Sequence, residues 1–190
     1  MYSLFIDSHD KKVSIVLFKD GKVLDSIIEE SNNKHSTIVM PSIDNIIKKS
    51  NIEVKDIKEV LIVNGPGSFT GERIAVTIGK TMAYCLSVPI KVIDALTVLA
   101  INVDDDIKYV SVPDRNGAFV GSFDANNKQL DEFKYINKSE YEVLCKEHNV
   151  VSDIEINYDL VYDYFKAVSA INPHEVKPLY IKGISALNGR

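Results

Sequence analysis

The sequence has no excess of basic residues. A basic patch is the usual footprint of a nucleic-acid-binding surface. Its 22 lysines and arginines stand against 27 aspartates and glutamates, so the formal net charge is −5 at pH 7. The lysines are spread along the chain rather than collected in one stripe. Charge therefore gives no sign that the chain binds nucleic acid on its own.

Cysteines and long apolar runs are also scarce. Cys85 and Cys145 are the two cysteines. Neither has a second Cys or a His at ligand spacing, which favours reduced, buried thiols over a disulfide or a metal site. No window approaches the ~18 apolar residues of a membrane span. The N-terminal MYSLFIDSHD has no basic start, so we expect no signal peptide, no membrane contact and a cytoplasmic location.

A pattern of three strands, a helix, a strand and a helix occurs twice. The chain has 190 residues, 45% of them hydrophobic, which fits two small lobes. The acidic run at 104–106 marks the predicted boundary between lobes 1–103 and 104–190. In the first lobe we predict strands at 3–6, 13–18, 23–29, 60–63 and 89–93, and helices at 35–50, within 64–84 and at 94–102. In the second we predict strands at 109–112, 118–123, 129–135, 150–151 and 179–182, and helices at 138–148 and 158–171.

This order is typical of the α/β actin-like ATPase fold (ribonuclease H-like), the duplicated architecture of actin, hexokinase and acetate kinase, here with a reduced second lobe. Fold alone does not fix function. Ser36 is the predicted N-cap of the first helix and Asp94 that of the third. Pro41 predicts that the first helix kinks or begins late, because proline is tolerated only near the first turn.

A glycine-rich turn, NGPGSFTG at 64–71, leads into the second helix. A P-loop needs G-x-x-x-x-G-K-[ST], but Glu72 stands where its lysine would be, and Thr70 replaces the third glycine of a dinucleotide fingerprint. Pro66 removes a backbone N–H donor, and Glu72 would oppose an approaching anion. The turn is therefore predicted not to cradle phosphate. Gly65 and Gly67 are expected to allow a sharp bend with positive φ, with Ser68 or Thr70 as the helix cap.

Small residues recur every four positions in that helix, at Gly71, Ala75, Gly79, Ala83 and Ser87. They form a shallow groove that drifts slowly round the helix and lets another element approach closely. Larger apolar residues form a second row, at Ile74, Ile78, Met82 and Leu86. The pattern allows two interpretations equally: the groove packs on the chain's own sheet, or it receives a helix from another chain.

The motif GPGSFTG followed by x-R-I resembles the signature of the TsaB family, partner proteins in the synthesis of tRNA threonylcarbamoyladenosine. The opening FIDSHDKKVSIVLFKDG, the segments HSTIVMPSIDNII and PIKVIDALTVLA, and later VPDRNGAFVGSF and KPLYIK agree in order and spacing. Two departures are Glu72, where the family usually has an aliphatic residue, and a second lobe shorter than the family norm.

The resemblance implies a non-catalytic scaffold without a cofactor of its own. Binding of ATP and magnesium is the weaker alternative, either by this chain or at its interface with partners. Such proteins pair with the catalytic subunit TsaD through the N-terminal lobe, are joined by the ATPase TsaE, and contact tRNA only indirectly. Without the partner, a homodimer through the same face is expected. The partner-binding residues it implies are Gly65, Gly67, Phe69, Thr70, Gly71, Arg73, Ala75, Gly79, Ala83, His35 and Val39.

The alternative is a small ATP-dependent kinase or ATPase. Asp7 and Asp114 end the first strand of each half, where actin-like kinases hold metal and phosphates. Turn chemistry is the competing explanation for both aspartates, which would then be a vestigial nucleotide site. His35 has Val39, not a second histidine, four residues on, so no catalytic metal pair is predicted. The other histidines, His9, His148 and His174, are expected on the surface.

Overall fold

The computed structural model describes residues 1–32 and 34–181. Its strands are β1 (Tyr2–Asp7), β2 (Lys12–Lys19), β3 (Lys22–Glu30), β4 (Ile57–Val63), β5 (Ile90–Ile93), β6 (Ile107–Asp114), β7 (Gly117–Asp124), β8 (Lys134–Asn137) and β9 (Val150–Val151). Its helices are α1 (His35–Lys49), α2 (Phe69–Leu86), α3 (Ala95–Ile101), α4 (Lys138–Glu147) and α5 (Tyr158–Ala167).

The strands form two sheets that repeat one plan. The first has the order β3-β2-β1-β4-β5, and the second has the order β8-β7-β6-β9. In each sheet the first three strands are an antiparallel meander, and the strand after the next helix lies parallel to the first strand. This confirms the predicted actin-like α/β architecture with a smaller second sheet. The boundary at 103/104 stays a prediction.

The strands β1, β2 and β4 of the first sheet are buried on both faces, to which their successive side chains point in turn. Leu4 and Ile6 of β1 belong to a cluster with the buried residues of α1 and α2. Phe5, between them, belongs to a second cluster with α3, α5 and the second sheet. The three strands β1, β2 and β4 therefore read as nearly continuous apolar runs.

The second cluster joins the two sheets through α5. Its Tyr162 ring lies 4.7 Å from that of Phe18, and its Phe165 ring lies 6.2 Å from that of Phe5. Val110 and Phe123 of the second sheet belong to the same cluster. The two sheets thus share one apolar core, and aromatic side chains contribute much of the area removed from water there.

The small residues of α2 face the chain's own sheet. Gly71, Ala75, Gly79 and Ala83 are all buried. A Cβ atom added to Gly79 would lie 2.4 Å from Cγ2 of Ile62 on β4. Of the two interpretations left open by the sequence, the inward one is the arrangement found.

Several predicted boundaries of the helices are corrected by the structure. Helix α1 begins at His35 with Lys34 as N-cap and no side-chain capping bond, so Ser36 is not the cap, and the helix runs on through Pro41. Ser68 and Asp94 do cap α2 and α3. Helix α5 ends at Ala167, short of the predicted 171, because Ile171 instead forms a β-bridge with Ile90.

Two predicted strands also differ. The strand predicted at 129–135 is β8, Lys134–Asn137. In the segment before it, Gln129 keeps an isolated β-bridge to Phe123, and the Asp131 carboxylate accepts a hydrogen bond from the Ser122 hydroxyl at 2.9 Å. At 179–181 there is no strand, although the Leu179 N–H donates to the Asn64 carbonyl at 2.8 Å. Residue 182, the end of that prediction, lies outside the described residues.

Gly79→Leu should lower the free energy of unfolding by about 1–3 kcal/mol, because the new side chain overpacks the contact between α2 and β4. Urea denaturation followed by circular dichroism measures the change. The matched control is Thr77→Leu, which enlarges an exposed position of the same helix and should stay within about 0.5 kcal/mol of the parent. Equal losses in both variants would contradict an inward-facing Gly79.

Candidate functional site

The glycine-rich turn lies directly on the turn between β1 and β2. A Cβ atom added to Gly71 would lie 1.8 Å from the Ser8 carbonyl oxygen, and one added to Gly67 would lie 2.1 Å from the His9 carbonyl oxygen. The Ser68 N–H donates to the His9 carbonyl at 2.6 Å, and the Ser8 hydroxyl donates to the Gly71 carbonyl at 2.7 Å. The two turns form one backbone-to-backbone contact that leaves no room for a side chain.

Only one of the two turn glycines has the predicted positive φ. Gly65 has a φ of 102°, as expected. For Gly67 the prediction of a positive φ is wrong, and the close approach of His9 is what requires a glycine there.

The Glu72 carboxylate occupies the inside of the glycine-rich turn. Its side chain points back to Gly65 and accepts a hydrogen bond from the Gly67 N–H. Glu72 is only 3% exposed. Burial raises the pKa of its carboxyl to about 7, against the opposing effects of the Arg73 and His9 charges and of that hydrogen bond. A phosphate entering this turn would meet a carboxylate instead of free N–H groups.

Asp7, which is buried, and His9, which is half-buried, form a pair at the end of β1. Nδ1 of His9 lies 2.6 Å from the Asp7 carboxylate, which also accepts the His9 backbone N–H at 3.0 Å. The expectation of a surface His9 is therefore wrong. Burial alone would lower the pKa of His9, but the Asp7 charge and hydrogen bond outweigh it, so its pKa is raised above 6.5.

His35 is a structural histidine at the first position of α1. It is buried, and Nε2 donates to the Asp10 carbonyl at 2.7 Å. Val39, one turn later, is fully buried in the core. His148 stacks on Tyr109 and His174 contacts Tyr84 edge-on.

Within residues 1–32 and 34–181, no group of three or more His, Cys, Asp or Glu residues could hold a metal ion. Over the same residues, no helix is long and apolar enough to cross a membrane. Cys85 and Cys145 are free thiols, but both are exposed, so the prediction of buried thiols is wrong.

A cleft of about 390 Å³ lies between the two sheets. Asp7 lines it, but Asp114 does not; Asp114 is exposed and its carboxylate accepts the Arg115 N–H at 2.7 Å. The structure therefore places one of the two predicted nucleotide-site aspartates in this cleft. The charged side chains that line the cleft are mostly acidic: Asp7, Asp10, Asp153 and Glu155, with Lys12 and His9.

The outer side of α1 and α2 carries a groove of about 410 Å³. Ile74 and Ile78 form its apolar floor, and both also pack against the buried cluster of the first lobe. Ser36 lines it from α1. Met40, one turn further along α1, is exposed. We call this surface, defined by Ser36, Met40, Phe69, Arg73, Ile74 and Ile78, the outer face.

A family model described as TsaD, tRNA N6-adenosine threonylcarbamoyltransferase, matches residues 22–147, which is more than half of the chain. The chain belongs to the TsaD family. Within this family it is similar to proteins named "tRNA threonylcarbamoyladenosine biosynthesis protein TsaB". The Bacillus subtilis protein of that name is 29% identical over 135 residues, covering 70% of this chain and 59% of that protein. The one from Buchnera aphidicola subsp. Schizaphis graminum is 33% identical over 97 residues, covering 51% and 46%.

The chain thus spans about half the length of these curated relatives. A solved structure described as YeaZ from Pseudomonas aeruginosa superposes with a TM-score of 0.78 at 15% identity, covering 94% of this chain and all of that one. At that identity the likeness shows the fold. Together these similarities confirm the TsaB resemblance based on GPGSFTG.

With the family known, the predicted partner-binding residues separate into two groups. Gly65, Gly71, Ala75, Gly79, Ala83, His35 and Val39 are buried by their own chain and are not available to a partner in this arrangement. Gly67 is half-buried, and Phe69, Thr70 and Arg73 are exposed. For these exposed residues partner binding stays a prediction.

Sequence reasoning missed the role of the larger row and of Tyr180. Ile74 and Ile78 belong to a predicted row but not to the predicted site, although an apolar row about 60° round the helix from an inward row of small residues is the available signal for a partly exposed apolar flank. Tyr180 contacts Phe69 and Arg73 from more than 100 positions away. No local pattern could have indicated that contact.

The buried Glu72 should make stability depend on pH. Between pH 4.5 and about 7 the unfolded chain has lost the Glu72 proton while the folded chain keeps it. The free energy of unfolding therefore falls as pH rises through this window. Glu72→Gln removes the titration, so the variant's stability relative to the parent should rise by about 1–2 kcal/mol from acid to neutral pH.

Urea denaturation of both proteins at several pH values measures this difference. The control is Glu142→Gln, which neutralises an exposed glutamate of α4 and should give a difference that is nearly constant with pH. Parallel stability profiles of Glu72→Gln and the parent would show that Glu72 titrates normally.

Proposed function

We propose that this chain is a non-catalytic, activating subunit of the complex that makes threonylcarbamoyladenosine at position 37 of tRNA. It pairs with a TsaD-like catalytic subunit, and a TsaE-like ATPase joins the pair. The TsaB names of its relatives support the pathway, and the reduced second lobe is compatible with a scaffold. Contact with tRNA is then indirect.

The outer face is the observation that carries this proposal. Phe69 is 51% exposed and lines the groove with the half-buried Ile74 and Ile78, and Met40, 49% exposed, lies one turn along α1 from Ser36 of the same groove. Soluble monomers seldom leave a contiguous apolar patch of this kind uncovered. Because this patch is made by two helices that are firmly packed on the first sheet, it offers a rigid surface to a partner.

The positions expected to carry chemistry serve structural roles, which supports a non-catalytic subunit. His35 is held by the Asp10 carbonyl, and the glycine-rich turn is filled by the Glu72 carboxylate. Asp7 is engaged by His9. We propose that the chain needs no cofactor of its own, and that any nucleotide of the complex is held mainly by the partners.

The inter-lobe cleft is lined by only one of the two aspartates on which the kinase alternative depends, because Asp114 does not line it. Four carboxylates line it, against one lysine and one histidine. Such a site repels a triphosphate unless metal ions neutralise it.

Isothermal titration calorimetry with Mg-ATP at millimolar concentration should give no binding heat, because only one of the two predicted nucleotide-site aspartates lines the cleft and His9 already engages it. Asp7→Asn is the matched variant. Heat in the parent that disappears in Asp7→Asn would restore the kinase alternative.

Mixing the chain with the TsaD-like subunit of the same organism should give a heterodimer. Light scattering coupled to size-exclusion chromatography measures the mass of the complex and of each protein alone. Met40→Asp places a charge on the outer face and should weaken pairing by about tenfold or more. The chain alone is expected to form a homodimer that the partner displaces.

The control for this variant is Val143→Asp on α4, an equally exposed apolar residue of the other lobe. It should pair as the parent does. Persistent monomers in the parent mixture would count against the proposed function, and a normal complex with Met40→Asp would place the contact elsewhere.

A further inference from the structure

An arginine is held against two exposed aromatic side chains at the first turns of α2. The guanidinium carbon of Arg73 lies 3.6 Å from the centre of the Phe69 ring, and Nε donates to the Tyr180 hydroxyl at 2.8 Å. The two rings are 6.0 Å apart, and Tyr180 is 53% exposed. Tyr180 reaches this place because the segment before it is bonded to Asn64: the Leu179 N–H donates to the Asn64 carbonyl, and the Asn64 side-chain amide donates to the Lys177 carbonyl.

This guanidinium has no carboxylate partner within the part of the chain that the structure describes. Only Nε of Arg73 makes a hydrogen bond there, to Tyr180. The neighbouring Glu72 feels its charge, but that carboxylate is buried and turned into the glycine-rich turn. Among the described residues the terminal nitrogens of Arg73 make no hydrogen bond, which leaves them for two parallel hydrogen bonds, the geometry in which arginine binds a carboxylate.

The position of Arg73 links this charge to the outer face. Arg73 and Phe69 line the groove whose floor is formed by Ile74 and Ile78. Arginine and aromatic residues in contact with a desolvated apolar pocket are the usual composition of an interface hot spot. A guanidinium already fixed against rings loses little freedom on binding, which favours a tight contact.

We propose that Arg73 is the charged anchor of the outer face, and that the TsaD-like partner presents a carboxylate beside apolar side chains that cover Ile74 and Ile78. This inference rests on the proposed function and assigns the chemistry of the partner's contact. The chain as a whole has a net charge of −5, but Arg73 places a positive charge on the outer face. A partner with a carboxylate opposite Arg73 is therefore both attracted to this face and favoured over partners without one.

A second copy of this chain satisfies Arg73 less well. Glu72 is the only acidic residue of α2 and is buried. Asp44 is the only acidic residue of α1, and Lys48 already binds it at 2.6 Å. In self-association through the same face, neither helix offers Arg73 a free carboxylate. The homodimer should therefore be weaker than the complex and should not depend on Arg73.

The test compares Arg73→Glu, Arg73→Lys and the control Arg115→Glu, which makes the same charge change at an exposed turn of the other lobe. Calorimetry with the purified TsaD-like subunit gives each dissociation constant at about 0.1 M and about 0.5 M sodium chloride. Arg73→Glu should weaken binding by about 10- to 100-fold. Arg73→Lys should lie between it and the parent, because an ammonium cannot make the paired contact.

The parent should lose affinity in high salt more than Arg73→Glu does, and Arg115→Glu should bind as the parent does. Thermal melting of each variant confirms that it is folded. Tight binding by the parent with unchanged binding by folded Arg73→Glu overturns this inference alone. No binding by the parent overturns the proposed function itself.

Two further measurements distinguish a TsaD-like partner from the other molecules that could bind the outer face, a second copy of this chain and tRNA. If Arg73→Glu dissociates the homodimer as strongly as the complex, the anchor belongs to self-association and the proposal fails. If fluorescent tRNA binds the parent chain and Arg73→Glu abolishes that binding while pairing is unchanged, the guanidinium binds phosphate, which also overturns the proposal.

Discussion

The first lobe depends on the contact between the start of α2 and the backbone of the β1–β2 turn. Gly71 lies against the Ser8 carbonyl, and Gly67 against the His9 carbonyl, at distances that exclude a Cβ atom. This contact fixes how α2 is rotated about its axis. With Gly71 inward, the residues that follow at intervals of four are inward as well, and the helix can lie close to β4 because they are small. The apolar row at Ile74 and Ile78 then lies about 60° round the helix, at the edge of its buried side.

The same constraint explains why the chain has an outer face at all. A helix whose large apolar residues all faced the sheet could not approach the β1–β2 turn so closely. Ile74 and Ile78 gain partial burial against the first-lobe cluster, yet they still form the floor of an open groove. Close packing of the small row is therefore accompanied by half-buried apolar surface on the adjoining flank of α2, and this is the surface that a partner can cover.

The fold could be predicted from the sequence further than the site could. The buried strands and the repeated order of elements follow from apolar runs and turn residues, and the Ser68 cap follows from local chemistry. The direction in which the small row faces could not be predicted, because it is set by the approach of Ser8, some sixty residues away in sequence. His9 was assigned to the surface for the same reason: its burial depends on the glycine-rich turn lying over it. Tyr180 joins the outer face only through the path of the segment near the C-terminus.

The position of Glu72 connects these features. A glycine-rich turn before a helix ordinarily directs N–H groups at an anion, and here the Gly67 N–H is directed at the chain's own carboxylate. That carboxylate is adjacent in sequence to Arg73, and if it lay outside it would neutralise the guanidinium. Because it is turned inward and buried, with its pKa raised to about 7, the positive charge of Arg73 remains available at the surface. The inward position of one acidic side chain thus closes the turn to phosphate and leaves a cation on the outer face.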